Sequence, residues 1–373
     1  MQEFLCCVYV YLHVKNAYLQ MQKYFVFIGF YCAAILSLGA QIKGNAPDSE
    51  MKQEVIGESA YLNTNNNDTQ TGKMLKTSGG QKPFSIVALG DMPYFLPDDY
   101  TKFENVIRFL NTGDQDFNVF IGDIKSSRQD CSDEVYTKMF DYFGQFKKPL
   151  IYTPSDNEWT DCGRSATKPS DPEERLSFLR KLFFSDQKSL GLKKMELVSQ
   201  TAIVGFENFV ENRYWNYNGV SFGTLHLVGS NNNFDSESKD FNKEFFERAK
   251  ANAFWLKEIF TKARENNSLG VVLFVHADMF RSVEGGSGFK GFLKDLKGFT
   301  KEYGKPVLLV NGDSHNFLVD KPLYIDDKKE RTLVNFTRVQ VFGEYDMHAV
   351  KIKIDPANPG LFEIQQLIIP QSN

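Results

Sequence analysis

The sequence predicts one α/β domain with mixed β-sheets, and three observations support this fold class. Short apolar runs alternate with segments whose apolar residues recur at helical spacing, from Phe84 onward. The pair Asn218-Gly219 lies between two apolar runs and is a strong hairpin signal, which predicts antiparallel strands in the middle of the chain. No internal repeat and no second linker divide residues 81–373, so we expect a single domain there.

In the first half of this domain, the sequence predicts three buried strands that alternate with helices. The strands are Phe84 to Leu89, Phe117 to Ile121 and Pro149 to Thr153. Ser132 can cap the helix before the third strand, because its hydroxyl can accept from a first-turn amide. The two acidic residues that follow it also favour a helix N-terminus. Another helix is predicted where Asp171, a capping residue, precedes a proline and two glutamates.

In the second half, the hairpin is followed by two helices and several strands. A long helix precedes a strand at 271–275, and a further helix precedes a strand at 306–310. In the tail from residue 334 to residue 369, the sequence predicts three more short strands, separated by turn-forming segments.

The N-terminal region is predicted to lie outside the domain. Residues 1–40 contain an apolar stretch from Tyr24 to Leu38 that follows a lysine and precedes small residues, the pattern of a signal peptide, with Met21 as an alternative start. A retained membrane anchor is the other interpretation, but the stretch is shorter than the roughly 20 residues a spanning helix needs. Residues 41–80 are polar and predict a flexible linker. We therefore expect a secreted or periplasmic protein without a stable membrane anchor.

Charge and cysteine usage fit this expectation. The formal net charge is −4 and no basic stripe is present, which argues against nucleic acid as a partner. Beyond the leader only Cys131 and Cys162 remain, and an even pair in an exported protein favours a disulfide over two free thiols. Such a bridge would tie together the loops that follow Asp123 and Asp156.

Acidic or imidazole side chains follow five of the predicted strands. They are Asp91, Asp123, Asp156, His276 and, after the last of these strands, Asp313 with His315. Ligands in α/β sheets bind outside the carboxyl ends of the strands, where such side chains converge. A single glycine-aspartate pair is usually just a turn, but clustered carboxylates repel one another unless a cation neutralises them. The pattern predicts a metal site.

The ligand types indicate which metals the site would hold. Carboxylates and imidazoles suit Mn²⁺, Fe or Zn²⁺ better than metals that demand thiolates. Two divalent ions are expected, with Asp123 as the residue that bridges them across roughly 3.5–4 Å.

The order of these motifs resembles that of the calcineurin-like metallophosphoesterases, whose pattern runs D-x-H, G-D, G-N-H-E/D, H and G-H-x-H. The counterparts here are Asp91-Met92-Pro93, Gly122-Asp123, Ser155-Asp156-Asn157-Glu158, His276 and Gly312-Asp313-Ser314-His315. The resemblance covers nearly all of the chain after Gln81. It implies an αββα sandwich of two mixed β-sheets flanked by helices, a dinuclear site, and hydrolysis of a small phosphate monoester or diester by a metal-activated water.

The chain departs from the family pattern at four positions. Pro93 replaces a ligand and cannot bind metal, whereas Asp156 and Asp313 exchange one ligand type for another. Asn157 stands where the family has the histidine that assists the leaving group, and an amide cannot act as a general acid. We hypothesise that Asn157 donates a hydrogen bond to phosphate, and we expect low activity or activity restricted to good leaving groups. The alternative is a catalytically weakened or inactive protein that binds a phosphorylated ligand or a protein partner.

Two cations lie beside the predicted ligand loops. Lys125 and Arg164 could clamp a phosphate group, although lone cations in loops are often simply solvated. The run Asn231-Asn232-Asn233 also follows a strand and allows either a substrate contact or ordinary turn formation.

Overall fold

The computed structural model describes residues 81–164, 168–237, 242–281, 287–326 and 328–370. The predicted signal peptide and linker, residues 1–40 and 41–80, lie outside these ranges. The described strands form two mixed β-sheets with helices on their outer faces.

The first sheet contains the three strands predicted in the first half of the domain. Its order is β12 (Phe362–Leu367), β11 (Ala349–Ile354), β1 (Phe84–Leu89), β2 (Phe117–Ile121) and β3 (Leu150–Thr153). Strands β1, β2 and β3 are parallel, whereas β11 and β12 pair antiparallel. The carboxyl ends of the three parallel strands therefore meet at one edge of the sheet.

The second sheet is larger and also mixed. Its order is β4 (Val198–Ser199), β5 (Arg213–Tyr217), β6 (Val220–Thr224), β7 (Val271–Phe274), β8 (Val307–Asn311), β10 (Phe336–Gln340) and β9 (Leu318–Asp320). Strands β6, β7, β8 and β10 are parallel. The predicted hairpin is confirmed, because β5 and β6 are antiparallel and both Asn218 and Gly219 have positive φ. The short edge strands β4 and β9 were not predicted.

Helices cover the outer face of each sheet. They are α1 (Asp99–Leu110), α2 (Asp133–Phe143) and α3 (Pro172–Phe183) on the first sheet, and α4 (Lys243–Glu265) and α5 (Lys290–Tyr303) on the second. The predicted caps are confirmed: the Ser132 side chain accepts from the Val135 amide, and Asp171 accepts from the Glu173 and Glu174 amides. None of the described helices is both long and apolar enough to span a membrane.

The layer order follows from the way strand side chains alternate. Ile86 and Ala88 of β1 pack between the two sheets, whereas Val87 and Leu89 pack against the helices. Because both faces of such strands are buried, they are continuous apolar runs rather than alternating ones. The predicted αββα sandwich is confirmed.

A disulfide joins Cys131 to Cys162, as the sequence predicts, with Cα atoms 5.8 Å apart. Cys131 lies just before α2, and Cys162 lies in the 3₁₀ turn Thr160–Arg164. The bridge therefore connects the loop after β2 with the loop after β3.

Candidate metal centre

The predicted side chains lie at the carboxyl ends of the parallel strands of both sheets. Four of these residues have left-handed backbone: Asp91 (φ 54°), Asp123 (φ 56°), Asp313 (φ 73°) and His315 (φ 58°). Such values are uncommon for residues other than glycine and cluster at functional sites. The sharp turns that they make direct the chain away from the buried strands and leave the side chains at the strand ends.

Close packing at this edge requires glycine at two positions. A Cβ atom on Gly122 would lie 2.6 Å from Ser155 Cβ and 2.9 Å from His276 Nδ1, and one on Gly312 would lie 2.5 Å from Asp91 Oδ2. Neither space admits a side chain. The glycine of each motif thus lets the two sheets bring their ligand loops into contact.

Five of the six predicted ligands form two groups that could each hold a metal ion. The first group is Asp91, Asp123 and His315, and the second is Asp123, Asp156 and His276; the ligand atoms within each group lie within 4.8 Å of one another. Asp123 belongs to both groups. This is the arrangement that a bridging carboxylate between two ions requires.

In the second group, His276 is oriented by the backbone. Its Nδ1 lies 3.0 Å from the carbonyl oxygen of Ile121, which fixes the proton on Nδ1. The other nitrogen, Nε2, faces the carboxylates of Asp156 at 3.2 Å and Asp123 at 3.5 Å. Burial lowers the pKa of His276, but the carboxylates of Asp123, Asp156 and Asp91 raise it well above its usual value, so without a metal the ring carries a proton on Nε2 as well. A bound ion would displace that proton and take the lone pair of Nε2.

Two buried atoms at the centre have no hydrogen-bond partner among the described residues. They are Asp91 Oδ2 and His276 Nε2. Nε2 lies 3.2 Å from Asp156 Oδ1, but the two groups are not aligned for a hydrogen bond. Buried polar atoms nearly always have a partner, so orphans of this kind need an explanation. A lone-pair nitrogen and a carboxylate oxygen are both metal ligands, and the residues present therefore fit a bound cation.

The electrostatics of the centre also fit a cation. Burial raises the pKa of Asp91 well above its usual range, and the neighbouring Asp123 carboxylate raises it further. Burial and the Asp156 carboxylate raise the pKa of Asp123 to about 6, against the opposing charge of His276. Carboxylates this close resist ionising together, and positive charge placed between them would remove that cost.

Tyr94 is a component of the centre that the sequence did not reveal. Its buried hydroxyl donates to Asp123 Oδ2 and lies 3.0 Å from His315 Nε2. The one feature of the sequence that could have indicated it is its position three residues after Asp91, next to Pro93. The motif that lacks a second ligand at Pro93 therefore supplies a phenol oxygen one residue later.

Asn157, the predicted catalytic residue, lies against the shared carboxylate. Its Nδ2 donates to Asp123 Oδ2 at 2.7 Å and to the Tyr94 hydroxyl at 3.0 Å. The side chain is buried at the centre, so its amide is placed to donate hydrogen bonds there. A role in phosphate binding stays a prediction.

Asp313 lies outside both ligand groups of the described residues. Its carboxylate accepts from the Asp278 amide at 3.0 Å, and its own backbone amide donates to Asp91 Oδ1 at 3.1 Å. The main chain of Asp313 thus supports Asp91 directly. Metal binding by its side chain stays a prediction.

The two predicted phosphate-binding cations have different surroundings. Lys125 is buried, and its ammonium donates to the carbonyl oxygens of Ser126 and Gln129 at 3.2 and 3.1 Å. These bonds give Lys125 a structural role in the loop after β2. Arg164 is exposed and pairs with Asp161 at 3.2 Å. Phosphate binding by either cation stays a prediction.

The asparagine run builds a left-handed turn beside Asp156. Ser230 and the three following asparagines all have φ between 50° and 58°. Asparagine tolerates this conformation better than most residues. The turn brings the Ser230 hydroxyl to Asp156 Oδ2, to which it donates at 2.9 Å. Buried Arg248 of α4 holds the turn by donating to the Asn232 carbonyl at 2.9 Å.

The two mixed sheets and the ligand loops at their shared edge together decide the fold type. The fold is the αββα sandwich that the resemblance to calcineurin-like metallophosphoesterases implies. The resemblance recognised in the sequence is thereby confirmed at the level of the fold. No family model matches the sequence, and a search of curated proteins found no match.

Solved structures with a similar fold include three named proteins. One is GAP50, the anchor in the inner membrane complex of Plasmodium, with a TM-score of 0.43 and 10% identity over 78% of this chain and 90% of that chain. The purple acid phosphatase PPD1 of yellow lupin has a TM-score of 0.46 and 13% identity over 77% of this chain and 52% of that one. The 5'-nucleotidase of Candida albicans has a TM-score of 0.40 and 11% identity over 76% and 50%. This chain spans about half the length of the latter two proteins, and these likenesses concern the fold alone.

Glu344 orients the ligand His315, so its replacement should weaken metal binding. Its Oε2 lies 3.2 Å from His315 Nδ1, and its backbone amide donates to the Asp91 carbonyl at 2.7 Å. Carboxylates behind a ligating imidazole fix its orientation and raise its basicity. We expect Glu344→Gln to weaken binding of Mn²⁺ by about 10- to 100-fold in equilibrium dialysis.

The matched control is Glu363→Gln, an exposed glutamate on β12 that pairs with Lys353. It should bind Mn²⁺ as tightly as the unmodified protein. Unchanged affinity in Glu344→Gln would show that Glu344 does not position a ligand.

Proposed function

We propose that the protein is a metal-dependent phosphoesterase that hydrolyses a phosphate monoester or diester at a dinuclear site. The observation that supports this most is the membership of Asp123 in both candidate ligand groups. The unpartnered Asp91 Oδ2 and His276 Nε2 add support, because both are ligand atoms without another function in the described structure.

Asp91, Asp123 and His315 would hold one ion, and Asp123, Asp156 and His276 the other. Mn²⁺, Fe or Zn²⁺ fits these oxygen and nitrogen ligands. In such a centre, two divalent ions supply charge that binds phosphoryl oxygens and lowers the pKa of a nucleophilic water.

The chain's own polar groups would bind and orient the phosphate. The Asn157 amide and the Tyr94 hydroxyl meet at Asp123, so both are placed to donate hydrogen bonds to a phosphoryl oxygen there. Without a metal, burial together with the charges of Asp123 and Asp91 raises the pKa of Tyr94, so the phenol keeps its proton. The Asn157 amide cannot act as a general acid, and protonation of the leaving group would fall to water or another residue.

We propose that the protein acts after export, in a secreted or periplasmic location. The Cys131–Cys162 bridge supports this, because disulfides persist in oxidising compartments. A small phosphorylated compound is the proposed substrate, and the net charge of −4 disfavours nucleic acid.

One observation favours a second candidate, a protein that keeps the fold but binds a phosphorylated ligand or a partner without catalysis. Both carboxylate oxygens of Asp123 already accept hydrogen bonds, Oδ1 from Ser155 and Oδ2 from Tyr94 and Asn157. These donors stabilise the carboxylate without a metal and compete with an ion for the same lone pairs.

Metal analysis and hydrolysis assays on the purified chain separate the two candidates. With Mn²⁺, Fe²⁺, Zn²⁺ or Mg²⁺ supplied, we expect bound metal and hydrolysis of p-nitrophenyl phosphate or its diester. Asp123→Asn should reduce both by about 100-fold or more, because it removes a ligand that the two ions share.

The control is Asp114→Asn, an exposed aspartate paired with Lys351, which should leave both properties unchanged. Absence of hydrolysis in a folded protein, with or without bound metal, would favour the second candidate. If the chain binds none of the four ions and hydrolyses neither substrate, the phosphoesterase is excluded.

Asn157→His tests the proposed lack of a general acid. Because a positioned imidazole can protonate the leaving group, we expect kcat/KM for phenyl phosphate, a poor substrate, to rise by about tenfold or more. For p-nitrophenyl phosphate, whose leaving group needs no proton, it should change little. Equal effects on the two substrates, or no gain with phenyl phosphate, would refute this account of Asn157.

A further inference from the structure

Two exposed aromatic rings contact each other on the surface. Phe95 is 38% exposed and Tyr345 is 77% exposed, and their ring centroids lie 5.2 Å apart with an interplanar angle of 37°. Single exposed apolar residues are common, whereas apolar side chains grouped at a surface mark binding sites. The pair is therefore a candidate binding surface.

Each ring belongs to the residue that directly follows a component of the metal centre. Phe95 follows Tyr94, whose hydroxyl contacts Asp123 and His315, and Tyr345 follows Glu344, whose carboxylate contacts His315. Consecutive Cα atoms are about 3.8 Å apart, so the backbone of both aromatic residues lies beside residues that contact the first ligand group.

The backbone that carries Phe95 is held firmly. Its amide donates to Asp99 Oδ2 at 2.8 Å, and the Asp99 amide donates back to the Phe95 carbonyl at 2.9 Å. Asp99 is itself buried at the start of α1. The ring of Phe95 thus projects from a fixed position, and less conformational entropy is lost when a ligand binds there.

Rings also link this surface to the ligands. His315 packs edge-on against Tyr94, with centroids 4.9 Å apart and an interplanar angle of 79°. In the pair Tyr94-Phe95, the first ring contacts the ligand His315 and the second ring is exposed. An elongated substrate with phosphate at one end and a planar ring at the other matches this order.

We propose that Phe95 and Tyr345 form a subsite for the aromatic ring of a phosphoester whose phosphate lies at the metal centre. This inference rests on the proposed phosphoesterase function. Aromatic rings attract a third ring through offset-stacked or edge-to-face contacts, which an aliphatic group cannot reproduce. The preferred substrates are phosphoesters with an aromatic organic part.

Binding of phosphonates, which are not hydrolysed, tests the subsite without catalysis. By calorimetry on the Mn²⁺-loaded chain, we expect phenylphosphonate to bind more tightly than methylphosphonate. Tyr345→Ala and Phe95→Leu should each weaken phenylphosphonate binding by about 3- to 10-fold and leave methylphosphonate binding unchanged. Phe254→Ala is the matched control, since Phe254 is a 36% exposed aromatic residue on α4, and it should change neither affinity.

Kinetics give a second readout with two substrates that both have good leaving groups. In the two subsite variants, kcat/KM should fall for p-nitrophenyl phosphate and stay constant for acetyl phosphate, which has no ring. Thermal unfolding of each variant checks that the fold is retained. Loss with both substrates in a folded variant, or with neither, overturns the subsite.

The outcomes also distinguish the subsite from the proposed function. If the protein hydrolyses both substrates and binds both phosphonates, but the variants keep the original selectivity, the subsite alone is wrong. If the unmodified Mn²⁺-loaded chain binds neither phosphonate and hydrolyses neither substrate, the proposed function fails and the subsite fails with it.

Discussion

Repulsion among buried carboxylates is the constraint on which this structure depends. Asp91, Asp123 and Asp156 are brought together where the strands of two sheets end, and burial raises the pKa of Asp91 and of Asp123. For Asp156, burial is outweighed by His276 and the Ser230 hydroxyl, which lower its pKa. Hydrogen bonds relieve part of the cost: Ser155, Tyr94 and Asn157 donate to Asp123, and Ser230 donates to Asp156. They leave Asp91 Oδ2 without a partner in the described structure, and His276 Nε2 lies unpaired in the same cluster. A cation bound between these groups would offset the remaining negative charge.

The surrounding scaffold holds this costly arrangement in place. The disulfide braces the loops after β2 and β3, and Gly122 lets the second sheet approach the first. On one side, Arg248 fixes the left-handed turn that carries Ser230. On the other side, Glu344 joins His315 to the backbone of Asp91. A preorganised metal site needs rigid support of this kind, because a small displacement of the ligands weakens metal binding.

The features that depend on local sequence pattern could be predicted from the sequence. Buried strands, helix caps and the Asn218-Gly219 hairpin have short-range signals, and the strand ends then indicated where Asp123 and His276 would lie. Glu344 and Arg248 could not be found in this way, because their partners are distant along the chain and depend on how the sheets pack. Tyr94 had one local signal, its position three residues after Asp91. For Asp313, the motif position predicts a ligand and one carboxylate oxygen accepts from the Asp278 amide, so metal binding by this side chain stays a prediction.

The central claim is that Asp123 bridges two metal ions, and anomalous diffraction from crystals soaked in Mn²⁺ tests it most directly. Data collected near the manganese absorption edge should show two peaks roughly 3.5–4 Å apart, one on each side of Asp123. His315 should lie at one peak and His276 at the other. A single peak, or none in crystals that diffract well after soaking, would contradict the dinuclear centre.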